Sequence, residues 1–84
     1  MNQVPQIKRF ILKAVLAMGT TPMPDAALID AVLHGVVPRP MKSDVVMVRD
    51  ELQDLDFIIG TKDPVDDAIS WTLTISGTLQ AKRL

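Results

Sequence analysis

Leu52-Gln53-Asp54-Leu55-Asp56-Phe57-Ile58-Ile59-Gly60-Thr61 contains the change of hydrophobic rhythm that decides the fold. Upstream, Val45, Val48, Leu52 and Leu55 are spaced three, four and three apart. That is the inward stripe of a helix over residues 44–56, with Ser43 placed to cap its start. Downstream, residues 57–61 read as a strand, residues 62–67 as a polar loop carrying Pro64, and residues 68–75 as a second strand. Ile69, Trp71, Leu73 and Ile75 alternate there with Ser70, Thr72 and Thr74, as in a half-buried strand, and Trp71 is expected in the core. Thr74 or Ser76 is placed to cap a short last helix running to Leu84.

Working back toward the N-terminus, Ile7, Ile11, Ala14, Val15 and Met18 share one face of a helix over residues 5–18. Pro5 suits its first turn and Gly19 its stop. The stretch Thr20-Thr21-Pro22-Met23-Pro24 is rich in turn formers. Pro24 and Asp25 then open a second helix, the acid lying near its positive end, with Leu28, Ile29, Val32 and Leu33 inward and Gly35 closing it. Pro38 and Pro40 hold residues 36–42 extended.

The order is three helices, a strand, a loop, a strand and a short helix, read as one α+β domain over residues 1–84. This order resembles the winged helix-turn-helix family, in which a three-helix bundle precedes a β-hairpin wing. Leu52-Gln53-Asp54-Leu55-Asp56-Phe57-Ile58 is similar to that family's passage from third helix to first wing strand. Asp56-Phe57 stands where the family commonly has a glycine, so the turn must be made differently. Trp71-Thr72-Leu73-Thr74-Ile75-Ser76-Gly77 resembles its aromatic-x-Leu-Thr-x-x-Gly ahead of a terminal helix. Residues 35–42 form a longer joint than the compact motif uses.

Composition agrees with a packed domain. The 84 residues are 48% hydrophobic, and a chain this short buries roughly 60–65% of its unfolded surface. No apolar run approaches the roughly 18 residues needed to span a bilayer. Lys8 and Arg9 precede an apolar stretch, but Lys13 interrupts it and its spacing is helical, so it reads as a domain helix and not as a secretion signal. With no cysteine, disulfides, thiol catalysis and cysteine-bound zinc are ruled out, and a cytoplasmic setting is expected.

No catalytic constellation is legible. His34 is the single histidine and sits at a helix end, where a cation suits the dipole. Asp50-Glu51 and Asp66-Asp67 are adjacent pairs whose side chains diverge. The four glycines are too scattered to cradle a phosphate. The expectation is a non-enzyme without metal, cofactor or small-molecule substrate.

The family resemblance implies DNA binding, with the third helix in the major groove and the wing along the backbone. The phosphate contacts would then be Arg39, Lys42, Arg49 and Lys62. The local charges argue otherwise. Between Lys42 and Asp56 two bases face five acids, and between Gly60 and Asp67 Lys62 faces three. On a helical wheel the outward face of the third helix is Val46, Met47, Asp50, Gln53 and Asp54. That acidic and apolar face suits a protein partner better than a duplex. The outer face of the first helix combines Leu12 and Leu16 with Lys8, Arg9 and Lys13. It is either covered by the last helix or left as a candidate dimer surface. The charges therefore favour a protein-interaction module on a winged-helix scaffold. The alternative is a small DNA-binding transcriptional regulator, of the kind a prophage or mobile element carries.

Overall fold

The computed structural model describes residues 3–84. Its elements are α1 (Val4–Ala17), β1 (Met23–Pro24), α2 (Asp25–Gly35), α3 (Lys42–Asp54), β2 (Ile58–Lys62), β3 (Ile69–Leu73) and α4 (Ile75–Lys82). The strands form an antiparallel sheet in the order β1-β3-β2. Across the hairpin Ile58 faces Leu73 and Gly60 faces Trp71, while Met23 faces Trp71 from the other side. The α+β class and the winged-helix layout read from the sequence are both present.

The core is built by the stripes the spacing marked out. Ile7, Ile11 and Val15 from α1, Leu28, Ile29 and Val32 from α2, and Val45, Val48 and Leu52 from α3 are all buried. They close against Ile58 and Trp71 of the sheet and Ala81 of α4. Among the described residues no charged or polar one is buried with them.

Of the two readings open for Leu12, coverage by the last helix is the one observed: it is buried, and α4 packs against α1. Leu16 is half-buried against the same cluster. The candidate dimer surface built on these two leucines is therefore largely covered within the fold, Leu12 in the core and Leu16 at its edge.

Two reversals sit at the ends of α3. The helix begins at Lys42, so Ser43 lies inside its first turn and caps nothing; Met41 holds the cap position without a side-chain hydrogen bond. At the other end Leu55 is 48% exposed. The helix stops one residue short of it, because Asp56 takes a left-handed conformation with φ 63°. Its amide donates to Gln53 O at 3.0 Å and that of Phe57 donates to Leu52 O at 3.0 Å. This is a helix-terminating turn of the Schellman type with aspartate in the glycine position.

The short strand β1 falls where only turn formers were legible. Likewise Ile69 and Ile75 alternate in phase with Trp71 but are exposed, since the hairpin edge and the first turn of α4 leave the sheet's covered face. Thr74 caps α4 as expected, its Oγ1 accepting from Gly77 N at 2.9 Å. The same hydroxyl donates to Asp56 O at 2.6 Å, and Thr74 N donates to Phe57 O at 3.1 Å. One residue thus ties the start of α4 to the end of α3.

Candidate nucleic-acid interface

Asp25, Arg49 and Trp71 come from three elements and meet in one cluster. Asp25 opens α2, Arg49 sits midway along α3, and Trp71 faces inward from the centre of β3. Arg49 Nη1 donates to Asp25 Oδ1 at 2.8 Å and Oδ2 at 3.0 Å, and Trp71 Nε1 donates to Asp25 Oδ1 at 2.7 Å. The guanidinium carbon lies 5.5 Å from the centroid of the Trp71 ring, within cation–π range. Arg49 also donates to Asp50 Oδ1 through Nε at 3.1 Å and Nη2 at 2.9 Å.

Burial pulls the pKa of Arg49 down, but hydrogen bonds and charges from Asp50 and Asp25 more than offset it and hold the pKa above its ordinary value. A cation with a raised pKa contributes stability that is complete below its unfolded value and is lost only as pH climbs past the folded one. Near neutrality Arg49 is therefore permanently charged and fully engaged. Only 16% of its side chain is exposed. Of the four phosphate-contact candidates, Arg49 is thus the one whose charge is spent internally.

The other three remain at the surface. Arg39 lies in the segment entering α3 and Lys42 is its first residue; both are exposed, and neither forms an ion pair among the described residues. Lys62 ends β2, with Asp67 Oδ1 3.8 Å away in an open, weak pair.

The outward face of α3 divides into two halves. Lys42, Ser43, the half-buried Asp44 and Met47 occupy the first two turns, and Asp50, Glu51, Gln53 and Asp54 the last two. The acids of the second half are partly answered: Asp50 by Arg49, and Glu51 by Lys8 of α1 at 2.9 Å. A count along the chain sees five acids against two bases, while the fold brings a third base across from α1. The expected protein-docking patch is also smaller than the wheel implied. Val46 is half-buried against the core, leaving Met47, 55% exposed, as the apolar member of that patch.

The wing's acids hold its loop in shape. Asp63 Oδ1 accepts from Val65 N at 2.7 Å, and Asp66 Oδ1 accepts from Ala68 N at 3.0 Å. These are the side-chain-to-backbone turns that aspartate forms readily. Asp67 takes φ 60° and its amide donates to Asp63 O at 3.0 Å. Val65 stands 93% exposed at the tip.

His34 sits in the last turn of α2, its Nδ1 donating to Asp30 O at 2.8 Å. Among the described residues no three of histidine, cysteine, aspartate and glutamate come together as a metal site would require. Likewise, no helix there is long and apolar enough to cross a membrane.

No family model and no curated protein matches the chain. Solved structures of Lactococcus lactis ZitR do resemble it. A double mutant of ZitR in apo form superposes with a TM-score of 0.72 at 16% identity, covering 96% of this chain and 55% of that one. A glutamate-to-alanine mutant gives 0.70 at 17% identity, covering 92% and 47%. A cysteine-to-serine mutant gives 0.71 at 16%, covering 93% and 48%. The chain thus spans about half the length of the ZitR chains it matches. At this identity the likeness is one of fold: a helical bundle carrying a β-hairpin wing.

Proposed function

We propose that the chain is the DNA-binding module of a winged-helix regulator. The first two turns of α3 enter the major groove, Arg39 and Lys42 meet phosphates at its mouth, and Lys62 meets the backbone beside the wing. The observation that carries this reading is the division of α3. Its leading half is neutral overall, Lys42 set against Asp44 with Arg39 just ahead, and recognition helices of this class contact base edges with their leading residues. Three of its four acids, Asp50, Glu51 and Asp54, lie in the trailing half, where Arg49 and Lys8 answer two of them, and Asp44 alone sits in the leading half. The start of α3 also lacks a side-chain cap, which leaves amide donors at its positive end. The fold shared with ZitR agrees with this docking mode.

The test is an NMR titration of the labelled protein with a mixed-sequence duplex at low and then moderate salt. The expected result is shifts at Arg39, Lys42, Ser43, Met47 and the wing that fade as salt rises. With three phosphate contacts the log–log slope should be about −3, at roughly −0.9 each. An unperturbed spectrum at low salt would exclude the proposal and return attention to Met47 and its acidic neighbours as a protein-docking face. Shifts confined to α1 and α4 would reject this docking mode.

A further inference from the structure

An open cleft of about 310 Å³ lies between α1 and the chain leaving α2. Arg9, Phe10 and Lys13 line it from α1, and Gly35, Val36 and Val37 from the opposite side. Gln6 adds an amide at one end, and no acid borders the space.

The floor is apolar and tightly made. The Phe10 ring lies so close over Gly35 that a Cβ at that position would overlap the ring. Glycine there leaves room for the edge of the ring against the end of α2. Phe10 is half-buried, Val36 is buried, and Val37 stands 82% exposed beside the opening. The rim is cationic. Arg9 and Lys13 are four residues apart and so lie on one side of α1. Both are exposed, and neither forms an ion pair among the described residues. Lys8, one residue away, shows the contrast, since its charge is met by Glu51.

We infer that this cleft binds a small apolar carboxylate, its ring or branched chain against Phe10 and Val36 and its charge met by Arg9 and Lys13. The lining sets the class, and the open cleft has room only for a small molecule, ligand clefts in general spanning roughly 300–1,000 Å³. A bare inorganic anion would leave the aromatic floor wet, and a neutral hydrocarbon would leave two cations unanswered. Charge-assisted hydrogen bonds to a carboxylate are about twice as strong as neutral ones, so the anion should be distinguished from its amide. The inference does not depend on DNA binding. It does place a ligand against Val37, two residues before Arg39.

The test is a titration of the labelled protein with phenylacetate, phenylacetamide and acetate, following backbone amides. Phenylacetate should give saturable shifts at Phe10, Gly35, Val36 and Val37, and phenylacetamide should bind at least about tenfold more weakly, a difference of roughly 1.4 kcal/mol. Acetate, lacking the apolar part, should bind more weakly still. Replacing both cations (Arg9→Gln with Lys13→Gln) alters only exposed side chains and should weaken phenylacetate by a similar factor. Changing Lys82→Gln with Arg83→Gln should not. Equal binding of the amide, unchanged affinity in the Arg9/Lys13 variant, shifts as large at Lys82 and Arg83 as in the cleft, or no shifts at all would each overturn the assignment.

Discussion

The Asp25 carboxylate receives hydrogen bonds from both Arg49 Nη1, at 2.8 Å, and Trp71 Nε1, at 2.7 Å. One acid at the start of α2 thereby fastens α3 to the centre of the sheet. Residues 36–41 form an irregular joint between α2 and α3, so this contact is one of the links that set how α3 stands relative to the wing.

Replacing Asp25→Ala leaves a charged guanidinium and an indole N–H short of their acceptor. The expected loss is about 2–3 kcal/mol, below the roughly 3–5 kcal/mol of a fully buried pair because the carboxylate is partly exposed. Arg49→Met keeps the Asp25–Trp71 hydrogen bond and should lose about 1 kcal/mol. Thermal unfolding followed by circular dichroism reads both, at roughly 4–8 °C per kcal/mol for a domain of this size. If the double variant shows simple additivity, the two residues are not coupled.

Asp56 occupies a left-handed position that glycine takes without strain. Asp56→Gly should therefore leave stability unchanged or raise it by up to about 1 kcal/mol, in contrast to most surface-to-glycine changes. Urea denaturation decides it: a clear loss would mean that the side chain contributes something the turn geometry does not explain.

Gly77 is required for a different reason. A Cβ there would overlap the carbonyl oxygen of Phe57, which is rigid backbone already engaged by Thr74 N. Gly77→Ala should destabilise by about 2–3 kcal/mol. At Gly19, with φ 66° and open space around it, alanine should lose only about 1 kcal/mol. The ranking of the two in one denaturation series tests whether α4 is seated as described; equal losses would contradict it.

The wing acids can be neutralised without losing their turns. Asparagine at 63 and 66 still presents a side-chain oxygen to Val65 N and Ala68 N. Asp63→Asn with Asp66→Asn should leave the unfolding midpoint nearly unchanged and tighten binding to a duplex, most visibly at low salt. Anisotropy titrations at two salt concentrations measure it. Unaltered affinity would place the wing away from the phosphates.

The complementary experiment removes the free cations at the mouth of α3. Arg39→Gln with Lys42→Gln should weaken duplex binding across all sequences and make the salt slope shallower by about two. Lys82→Gln with Arg83→Gln should change neither. The reverse pattern would move the interface to α1 and α4.

What the sequence determined by itself is what depends on near neighbours along the chain. The apolar spacing within each segment specified three helices and a hairpin, because one element's own residues create its inward face. Trp71 in the core and Thr74 at the cap followed from the same local logic. Errors and open questions arose where one element stops and another covers it. Leu55 continued the stripe of α3, but the left-handed turn at Asp56 ends the helix before that stripe is complete. At Leu12 the wheel of α1 left cover by the last helix and a dimer surface both open, and the packing of α4 decides between them. Charge is the clearest case. Arg49, Asp50 and Glu51 are neighbours in the chain, yet Arg49 is engaged by Asp25, 24 residues earlier, and Glu51 is answered by Lys8, 43 residues earlier. Coulomb interactions depend on distance in space and on burial, neither of which a count along the chain contains. The sequence therefore determined which elements form, and the tertiary structure decided which of their charges remain free to meet a partner.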